Sequence, residues 1–382
     1  MALSNKHRFI NNTNSNGHVT FTGGDTAGRL FPGLAAAEQL RREFPDLTIS
    51  FCGSGTRFER EHVFSAGFNY HGFPFRPRTK SLFGVWDYWK NQYRNIHLAS
   101  EFVAKENVSA VVGLGGSFSL PLFRAAVQAG VHVALMDQNT VPGRATRKLS
   151  RSAELICVSF AAARERLRTN ASVQVTGNPV RTHITHRKDQ NARPPRLLIT
   201  GGGLGVEELN KWVPRALYKV SRSLEHWQIV HQVGVYDIAE TANLYKKFAI
   251  RADVVPFVDD LPRMLRETDL VVCHAGGTTL AELAFCGVPA VLLPASDSSG
   301  DHQRINARCF TSAGAAVTID AASLSGRLDD ELGARLLPIL NDVKLRQSMS
   351  KSMSQLAYPH AAQDVAKAIG KLISSELPAQ AA

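Results

Sequence analysis

Short apolar runs recur along this 382-residue chain, and longer segments with helical periodicity separate them. Runs that are rich in valine, leucine and isoleucine and spaced by helices are typical of parallel β-strands buried on both faces. The alternation therefore predicts an α/β architecture. The runs lie at residues 18–22, 48–52, 110–114, 131–135, 155–158, 196–200, 228–232, 270–274 and 290–293.

A charged stretch that ends in two prolines interrupts this pattern near the middle of the chain and is typical of a linker. Each half opens with a strand and a glycine-rich turn, at 23–28 and at 201–205. Two Rossmann-like, doubly wound domains facing each other across a cleft are the simplest prediction. The predicted bounds are 18–185 for the first domain, 186–195 for the linker and 196–360 for the second domain.

The two ends of the chain differ in character. Residues 1–17 are polar and rich in asparagine, which predicts a disordered leader without an export signal. Residues 361–382 are predicted to supply a C-terminal helix that could cross back to the first domain.

The formal net charge of +11 favours anionic partners, namely a nucleotide sugar, a nucleic acid or an acidic membrane surface. Charge alone does not choose among them. No apolar run approaches the roughly 18–20 residues that a membrane-spanning helix needs. The five cysteines form no Cys-x-x-Cys pair, and their odd number favours reduced thiols in the cytoplasm over a disulfide framework.

Segment 273–282, with the sequence CHAGGTTLAE, places a glycine turn between a predicted strand and a predicted helix. Thr278 is expected to cap this helix, and the N-terminal amides of the helix suit a diphosphate. Glu282 lies about one turn further on, where its carboxylate could accept hydrogen bonds from a ribose diol. A first-turn acid favoured only by the helix dipole is the alternative.

Three further polar clusters follow predicted strands or lie near the linker. Asp137-Gln138-Asn139 could bind sugar hydroxyls or could form an Asx turn. Arg181, in the string GNPVR, could pair with a phosphate through two hydrogen bonds or could be an ordinary surface arginine. The third cluster, 301–307 (DHQRINA), could contact a ligand or could simply precede a helix as a polar loop.

The order and spacing of these pieces resemble the MurG family of glycosyltransferases, which transfer N-acetylglucosamine (GlcNAc) from UDP-GlcNAc to undecaprenyl-diphospho-muramoyl-pentapeptide. The strings GNPVR and DHQ-x-x-NA are its most specific parts. The resemblance extends from about Val19 to the C-terminal helix, and it implies the GT-B fold with the nucleotide bound mainly by the second domain. The other matching pieces are 31–35, 115–116, 138–139, 201–202, 258–260 and 276–282.

By position, the resemblance also implies contacts with both substrates. In the donor, uracil would meet the backbone of Val258, the ribose would meet Glu282, and the sugar would meet Asn139 and Gln303, with His302 also in the substrate-binding set. The diphosphate would lie against Gly277, Thr278, Thr279, Leu280 and Ala281, helped by Arg181 and Gly203. The acceptor would face Thr26, Ala27 and Gly28.

The first glycine-rich loop departs from the family pattern. It is one residue longer than usual, and Arg29 stands where family members have a histidine. Arginine keeps its proton in a protein, so it cannot serve as a general base. We therefore assign Arg29 to the acceptor diphosphate and take Asp25 or Asp137 as the candidate catalytic base.

Segment 73–102 interleaves aromatic and basic residues, which favours docking on an anionic membrane surface. Core aromatics beside solvated bases are the alternative. The aromatic residues are Phe75, Phe83, Trp86, Tyr88, Trp89 and Tyr93, and the basic ones are Arg76, Arg78, Lys80, Lys90 and Arg94. The family is peripheral to the membrane, which implies a place on the cytoplasmic face of the plasma membrane.

The sequence thus predicts an inverting GlcNAc transferase of peptidoglycan synthesis that uses no metal and no cofactor. Its predicted partners are UDP-GlcNAc, an undecaprenyl-diphosphate-linked acceptor, an anionic membrane and other cell-wall enzymes, but no nucleic acid. Two alternatives stay open. One is a diverged transferase with another acceptor, and the other is a degenerate paralogue that binds UDP-sugar without turnover.

Overall fold

The computed structural model describes residues 17–73, 82–181, 193–202, 205–258, 260–295, 301–320 and 327–374, and within 82–92 it describes the backbone alone. The described residues form two parallel sheets flanked by helices, which confirms the predicted pair of Rossmann-like domains. The strands are β1 His18–Thr22, β2 Thr48–Gly53, β3 Asn69–Gly72, β4 Val108–Gly113, β5 His132–Asp137, β6 Leu155–Val158, β7 Ser172–Val175, β8 Arg196–Thr200, β9 Gln228–Gln232, β10 Asp253–Val255, β11 Leu270–Cys273, β12 Ala290–Leu292 and β13 Ala316–Thr318.

Most of the helices lie between successive strands, as parallel sheets require, and the last three follow the final strand. The helices are α1 Ala27–Glu43, α2 Arg57–Ser65, α3 Leu82–Lys105, α4 Ser119–Ala129, α5 Arg144–Leu149, α6 Ala161–Arg164, α7 Glu207–Lys219, α8 Ile238–Lys247, α9 Leu261–Arg266, α10 Gly277–Cys286, α11 His302–Ser312, α12 Leu328–Asn341, α13 Val343–Gln355 and α14 Ala361–Ser374. None of the described helices is both long and apolar enough to cross a membrane.

The two sheets repeat one strand order. The first is β3-β2-β1-β4-β5-β6-β7 and the second is β10-β9-β8-β11-β12-β13. The strand order reverses between β1 and β4 in the first sheet and between β8 and β11 in the second, and both pairs are parallel. Ligands of such sheets bind beyond the carboxyl ends of the strands at this reversal. The fold therefore directs attention to the loops after β1, β5, β8 and β11.

Burial explains which strands the apolar pattern revealed. The inner strands β1, β6 and β11, which each have a neighbour on both sides, are buried along their whole length. The outer strands β3, β7 and β10 have alternately or partly exposed residues, and the pattern did not predict them. An edge strand has one neighbour and a partly solvated surface, so its sequence need not be continuously apolar.

The last described helix, α14, belongs to the core of the first sheet. Val365 and Ile369 of α14 are fully buried and pack in one cluster with Val19 and Phe21 of β1. A Cβ atom on Gly370 would lie 2.3 Å from the ring of Phe44, so a glycine at this position permits the close approach of α14. The chain thus returns from the second sheet to complete the first.

Several sequence predictions fall outside the described residues. These are the predicted leader up to residue 16, the linker from 186 to 192, and Gly203. In the aromatic and basic segment, 74–81 and the side chains of 82–92 are also outside, which includes Trp86 and Trp89. Tyr93 is the one aromatic residue named for that segment whose side chain is described, and it is 80% exposed.

Candidate active site

Helix α10 begins where the carboxyl end of β11 meets the first domain. Its first residue is Gly277, and Gly276 is its N-cap. The first amides of an α-helix lack intrahelical partners, so this terminus is suited to an anion. A Cβ atom on Gly277 would lie only 1.8 Å from the carbonyl oxygen of Gln138, so glycine is required for the two domains to meet here.

The prediction that Thr278 caps α10 is wrong. Thr278 is the second helical residue, and its hydroxyl donates across the cleft to the carbonyl oxygen of Gly28 at 2.6 Å. Asn178 donates to the same hydroxyl at 3.0 Å. The side chain therefore joins α10 of the second domain to the first glycine-rich loop, and this tertiary hydrogen bond replaces a local cap.

Glu282 is paired with Arg181 within the same cleft. The Nε and Nη2 atoms of Arg181 donate to Oε1 of Glu282 at 3.1 and 2.8 Å. The guanidinium also stacks on the ring of Phe31, 4.4 Å from its centroid. Burial raises the pKa of Glu282, and the nearby guanidinium opposes that shift. The carboxylate and cation assigned to ribose and diphosphate thus neutralise each other in this structure.

Asn139 contacts a residue that the sequence interpretation quoted without giving it a role. Asn306, in α11, is fully buried and donates from Nδ2 to Oδ1 of Asn139 and to the carbonyl oxygen of Ala275, both at 3.0 Å. Its Oδ1 accepts from the backbone N–H and the hydroxyl of Thr140 at 2.9 and 2.8 Å. The DHQ-x-x-NA string contains Asn306, but a string cannot reveal partners 166 or more positions away.

The carboxylate of Asp137 organises its own loop. It accepts from the N–H groups of Asn139 and Gly143 and from the hydroxyl of Thr146, at 3.1, 2.9 and 2.5 Å. Burial raises the pKa of Asp137, while these hydrogen bonds, that of Thr146 first, act in the opposite direction. Asp137 as a whole is only 5% exposed. It therefore influences the cleft mainly by holding the backbone of Asn139.

Asp25 and Arg29 form an ion pair between Asp25 Oδ1 and Arg29 Nη1 at the start of α1. Their side chains are 23% and 35% exposed, so both are partly accessible to solvent. The pair lies against the turn after β4, because a Cβ atom on Gly116 would be 2.9 Å from Asp25 Oδ1. Thr26 is the N-cap residue of α1 without a side-chain cap, and Ala27 and Gly28 form its first turn.

The remaining predicted contacts lie around the second sheet. Gln303 accepts from the N–H of Ala295 at 2.9 Å and so holds the loop after β12. His302 begins α11, and Val258 is buried in the loop after β10. Thr279 and Ala281 lie in α10, and Leu280 is a core residue that offers only its backbone. The described residues hold no group of three or more His, Cys, Asp or Glu suited to a metal ion.

Both halves of the chain match models of one enzyme family. Residues 19–158 match the N-terminal domain of glycosyltransferase family 28, and residues 196–368 match its C-terminal domain. Among solved structures, MurG of Acinetobacter baumannii is similar with a TM-score of 0.71 and 28% identity, over 93% of this chain and 99% of that one.

Two relatives that this chain matches over nearly their whole length have the same enzyme name. A protein of Ectopseudomonas mendocina is 33% identical over 356 residues, which cover 91% of this chain and 97% of the relative. One of Chlorobaculum parvum is 32% identical over 371 residues, covering 93% and 98%. Both are named UDP-N-acetylglucosamine–N-acetylmuramyl-(pentapeptide) pyrophosphoryl-undecaprenol N-acetylglucosamine transferase.

Proposed function

The chain belongs to glycosyltransferase family 28, and we propose that it transfers GlcNAc from UDP-GlcNAc to the C4 hydroxyl of lipid-linked N-acetylmuramoyl-pentapeptide. The observation that carries this proposal is the convergence of both domains on the N-terminus of α10. Gly28, Gln138 and Arg181 of the first half meet Gly277, Thr278 and Glu282 of the second half there. Relatives that this chain matches over nearly their whole length carry the same activity in their names.

Donor binding requires the Arg181–Glu282 pair to exchange partners. The ribose diol of the donor would donate to Glu282, and the diphosphate would take the two N–H groups that now point at that carboxylate. Arg181 thus exchanges a carboxylate for a diphosphate of higher negative charge, whereas Glu282 exchanges a cation for neutral hydroxyl donors. Both side chains are already largely buried in the donor-free protein, so most of their desolvation precedes donor binding.

In the transfer step, the acceptor oxygen forms a bond to the anomeric carbon while the bond from that carbon to UDP breaks. The charge that develops on UDP is stabilised by the first amides of α10 and by Arg181. The proton of the acceptor hydroxyl passes to a carboxylate, for which we favour Asp25 over Asp137. Asp137 is committed to three hydrogen bonds within its loop, whereas Asp25 is more exposed and has only its Oδ1 atom in the ion pair with Arg29.

Arg29 is the proposed contact for the acceptor diphosphate. It is partly exposed at the start of α1 beside the Gly115–Gly116 turn. A guanidinium binds phosphate oxygens in pairs and holds its charge at every physiological pH. We propose that the reaction needs no resident metal, and that the protein works as a peripheral protein on the cytoplasmic face of the plasma membrane.

The function is tested by incubating the whole protein with radiolabelled UDP-GlcNAc and a lipid-linked muramoyl-pentapeptide analogue. Transfer of label to the lipid with release of UDP is the expected result. Transfer to a different lipid would instead favour a diverged acceptor. UDP-GlcNAc binding without any transfer would overturn the enzymatic proposal.

A further inference from the structure

Asn306 stands out because every hydrogen-bonding capacity of its buried amide is used, and two of its partners lie in the other domain. The Thr140 N–H can only donate, so the atom that accepts from it must be the oxygen of Asn306. The Ala275 carbonyl can only accept, so the atom facing it must be the nitrogen. Backbone groups therefore fix the orientation of this amide from both sides.

The orientation of the Asn306 amide also determines the orientation of the Asn139 amide, which it contacts. The Nδ2 of Asn306 donates to the side chain of Asn139 at 3.0 Å, and the atom receiving this bond must be the Asn139 oxygen. No acceptor among the described residues takes a hydrogen bond from Nδ2 of Asn139. Asn139 is thus held with its oxygen occupied and its N–H₂ group available.

The available group lies beside the place where the donor binds. The Oδ1 of Asn139 would be 3.2 Å from a Cβ atom on Gly277, the first residue of α10. The amide of Asn139 is only partly buried, whereas that of Asn306 is inaccessible to a ligand. A sugar attached to a diphosphate at the α10 terminus would therefore meet the Asn139 N–H₂ group and not Asn306.

We propose that Asn306 is a positioning residue for sugar recognition, which acts by presenting Asn139 as a hydrogen-bond donor to an oxygen of the donor's sugar. This inference rests on the proposed function. It gives the site a defined polarity, because at Asn139 the sugar must offer an acceptor atom. It also makes sugar recognition depend on domain contact, since Asn306 and Asn139 come from opposite sides of the cleft.

The test compares the affinities for UDP-GlcNAc and UDP, measured by calorimetry on the whole protein. The ratio of the two affinities isolates the sugar, since UDP lacks it. Asn139→Asp keeps an oxygen for Asn306 but turns a second oxygen toward the sugar. We expect this variant to lower the ratio about tenfold. If Asn139 instead presented its oxygen to a sugar hydroxyl, Asp would keep or raise the ratio, which would overturn the proposal.

A double-mutant cycle tests the role of Asn306 itself. Asn306→Ser should lower the ratio about tenfold in the wild-type background and leave it unchanged in an Asn139→Ala background. Equal losses in both backgrounds would show a merely structural role. Asn210→Ser is the matched control, because Asn210 is a buried bridging asparagine of α7 whose hydrogen bonds go to Val233 and His231 and not to Asn139 or Asn306. It should leave the ratio unchanged.

The outcomes separate this inference from the function on which it rests. A wild-type protein that binds neither UDP nor UDP-GlcNAc contradicts the proposed function and the inference together. A wild-type protein that binds both, with a ratio insensitive to Asn139→Asp, contradicts the inference alone. Because Asn139 is only partly buried, this variant can still contradict the inference if Asn306→Ser fails to fold, since the orientation that Asn306 imposes requires Asn139 to be a donor.

Discussion

The two domains share a strand order but offer different chemistry to the cleft. The second domain contributes backbone amides at the start of α10 and a carboxylate, Glu282, that is 4% exposed. The first domain contributes partly exposed side chains at the start of α1, above all Asp25 just before the helix and Arg29 in its first turn. The groups proposed for the donor are thus backbone amides and a buried side chain, and those proposed for the acceptor are more exposed side chains.

Backbone amides suit the leaving group, whose charge must be met without reorganisation as it develops. More exposed side chains suit the acceptor, whose lipid chain and peptide must enter and leave. Arg29, which the resemblance places where family members have a histidine, pairs with Asp25 beside the Gly116 turn, whereas a side chain at Gly277 would meet the Gln138 carbonyl oxygen and separate the domains.

The largest effect is expected on the acceptor side. Asp25→Asn should lower kcat by about 10²–10⁴-fold, because the acceptor hydroxyl would lose its base, while UDP-GlcNAc affinity stays unchanged. Arg29→Ala should mainly raise the acceptor KM, since it removes binding shared by the ground and transition states. Steady-state kinetics with a lipid acceptor analogue would measure both effects.

Asp137→Asn is the informative comparison for Asp25. We expect it to lower the melting temperature, because Asp137 holds its loop through Gly143 and Thr146. Full turnover in Asp25→Asn, together with a selective loss of kcat in a stably folded Asp137→Asn, would transfer the role of base to Asp137.

On the donor side, Glu282→Gln should weaken UDP binding by about 10–100-fold, because a charge-assisted ribose contact becomes a neutral one. Calorimetry with UDP would measure the change. Glu240→Gln, a first-turn acid of α8 that is exposed, serves as the matched control and should have no effect. Unchanged affinity in a folded Glu282→Gln protein would remove Glu282 from the donor site.

Membrane binding is expected to depend on aromatic residues of the first domain and not on those of the second, and their loss should leave both substrate sites intact. Trp86→Ala with Trp89→Ala should lower binding to anionic vesicles about tenfold, because interfacial indole rings would be lost from α3. UDP affinity should be unchanged. Tyr236→Ala, at an exposed tyrosine of the second domain, is the control in a vesicle sedimentation assay. A double variant that fails to fold would place these tryptophans in the core.

The smallest predicted effect is a pH dependence that originates in the second sheet. Burial lowers the pKa of His231, which bonds Tyr245 and Asn210, to about 3. In the unfolded chain the imidazole of His231 has a pKa near 6.5 and becomes protonated, whereas in the folded chain it stays neutral. The free energy of unfolding therefore falls as pH drops below about 6.5. Between pH 7.5 and 5.5 this loss is about 1 kcal/mol.

Chemical denaturation at the two pH values would measure this loss in the wild type and in His231→Asn. The variant lacks the titrating ring, so it should lose about 1 kcal/mol less than the wild type over the same interval. Equal losses in both proteins would assign the acid sensitivity to other groups.

Local sequence determined the central strands and the family. Parallel strands buried on both faces are rich in apolar residues, and the bounds predicted for β1, β6, β8 and β9 are those of the structure. The glycine turns and the strings around Arg181, Glu282 and Gln303 were likewise visible, because backbone geometry and ligand chemistry restrict the residue types. Edge strands such as β7 and β10 were missed because solvent relaxes that restriction.

Only the tertiary structure decided what each side chain contacts. Thr278 follows a glycine turn where a helix cap is expected, yet its hydroxyl donates to the carbonyl oxygen of Gly28, 250 positions away. Arg181 and Glu282 were both predicted to meet the donor, and folding pairs them with each other across 101 positions. Asn306 gained its role from Asn139 and Thr140 in the other domain. A local pattern restricts the backbone, but the partner of a polar group depends on which distant segment packing brings within hydrogen-bond reach.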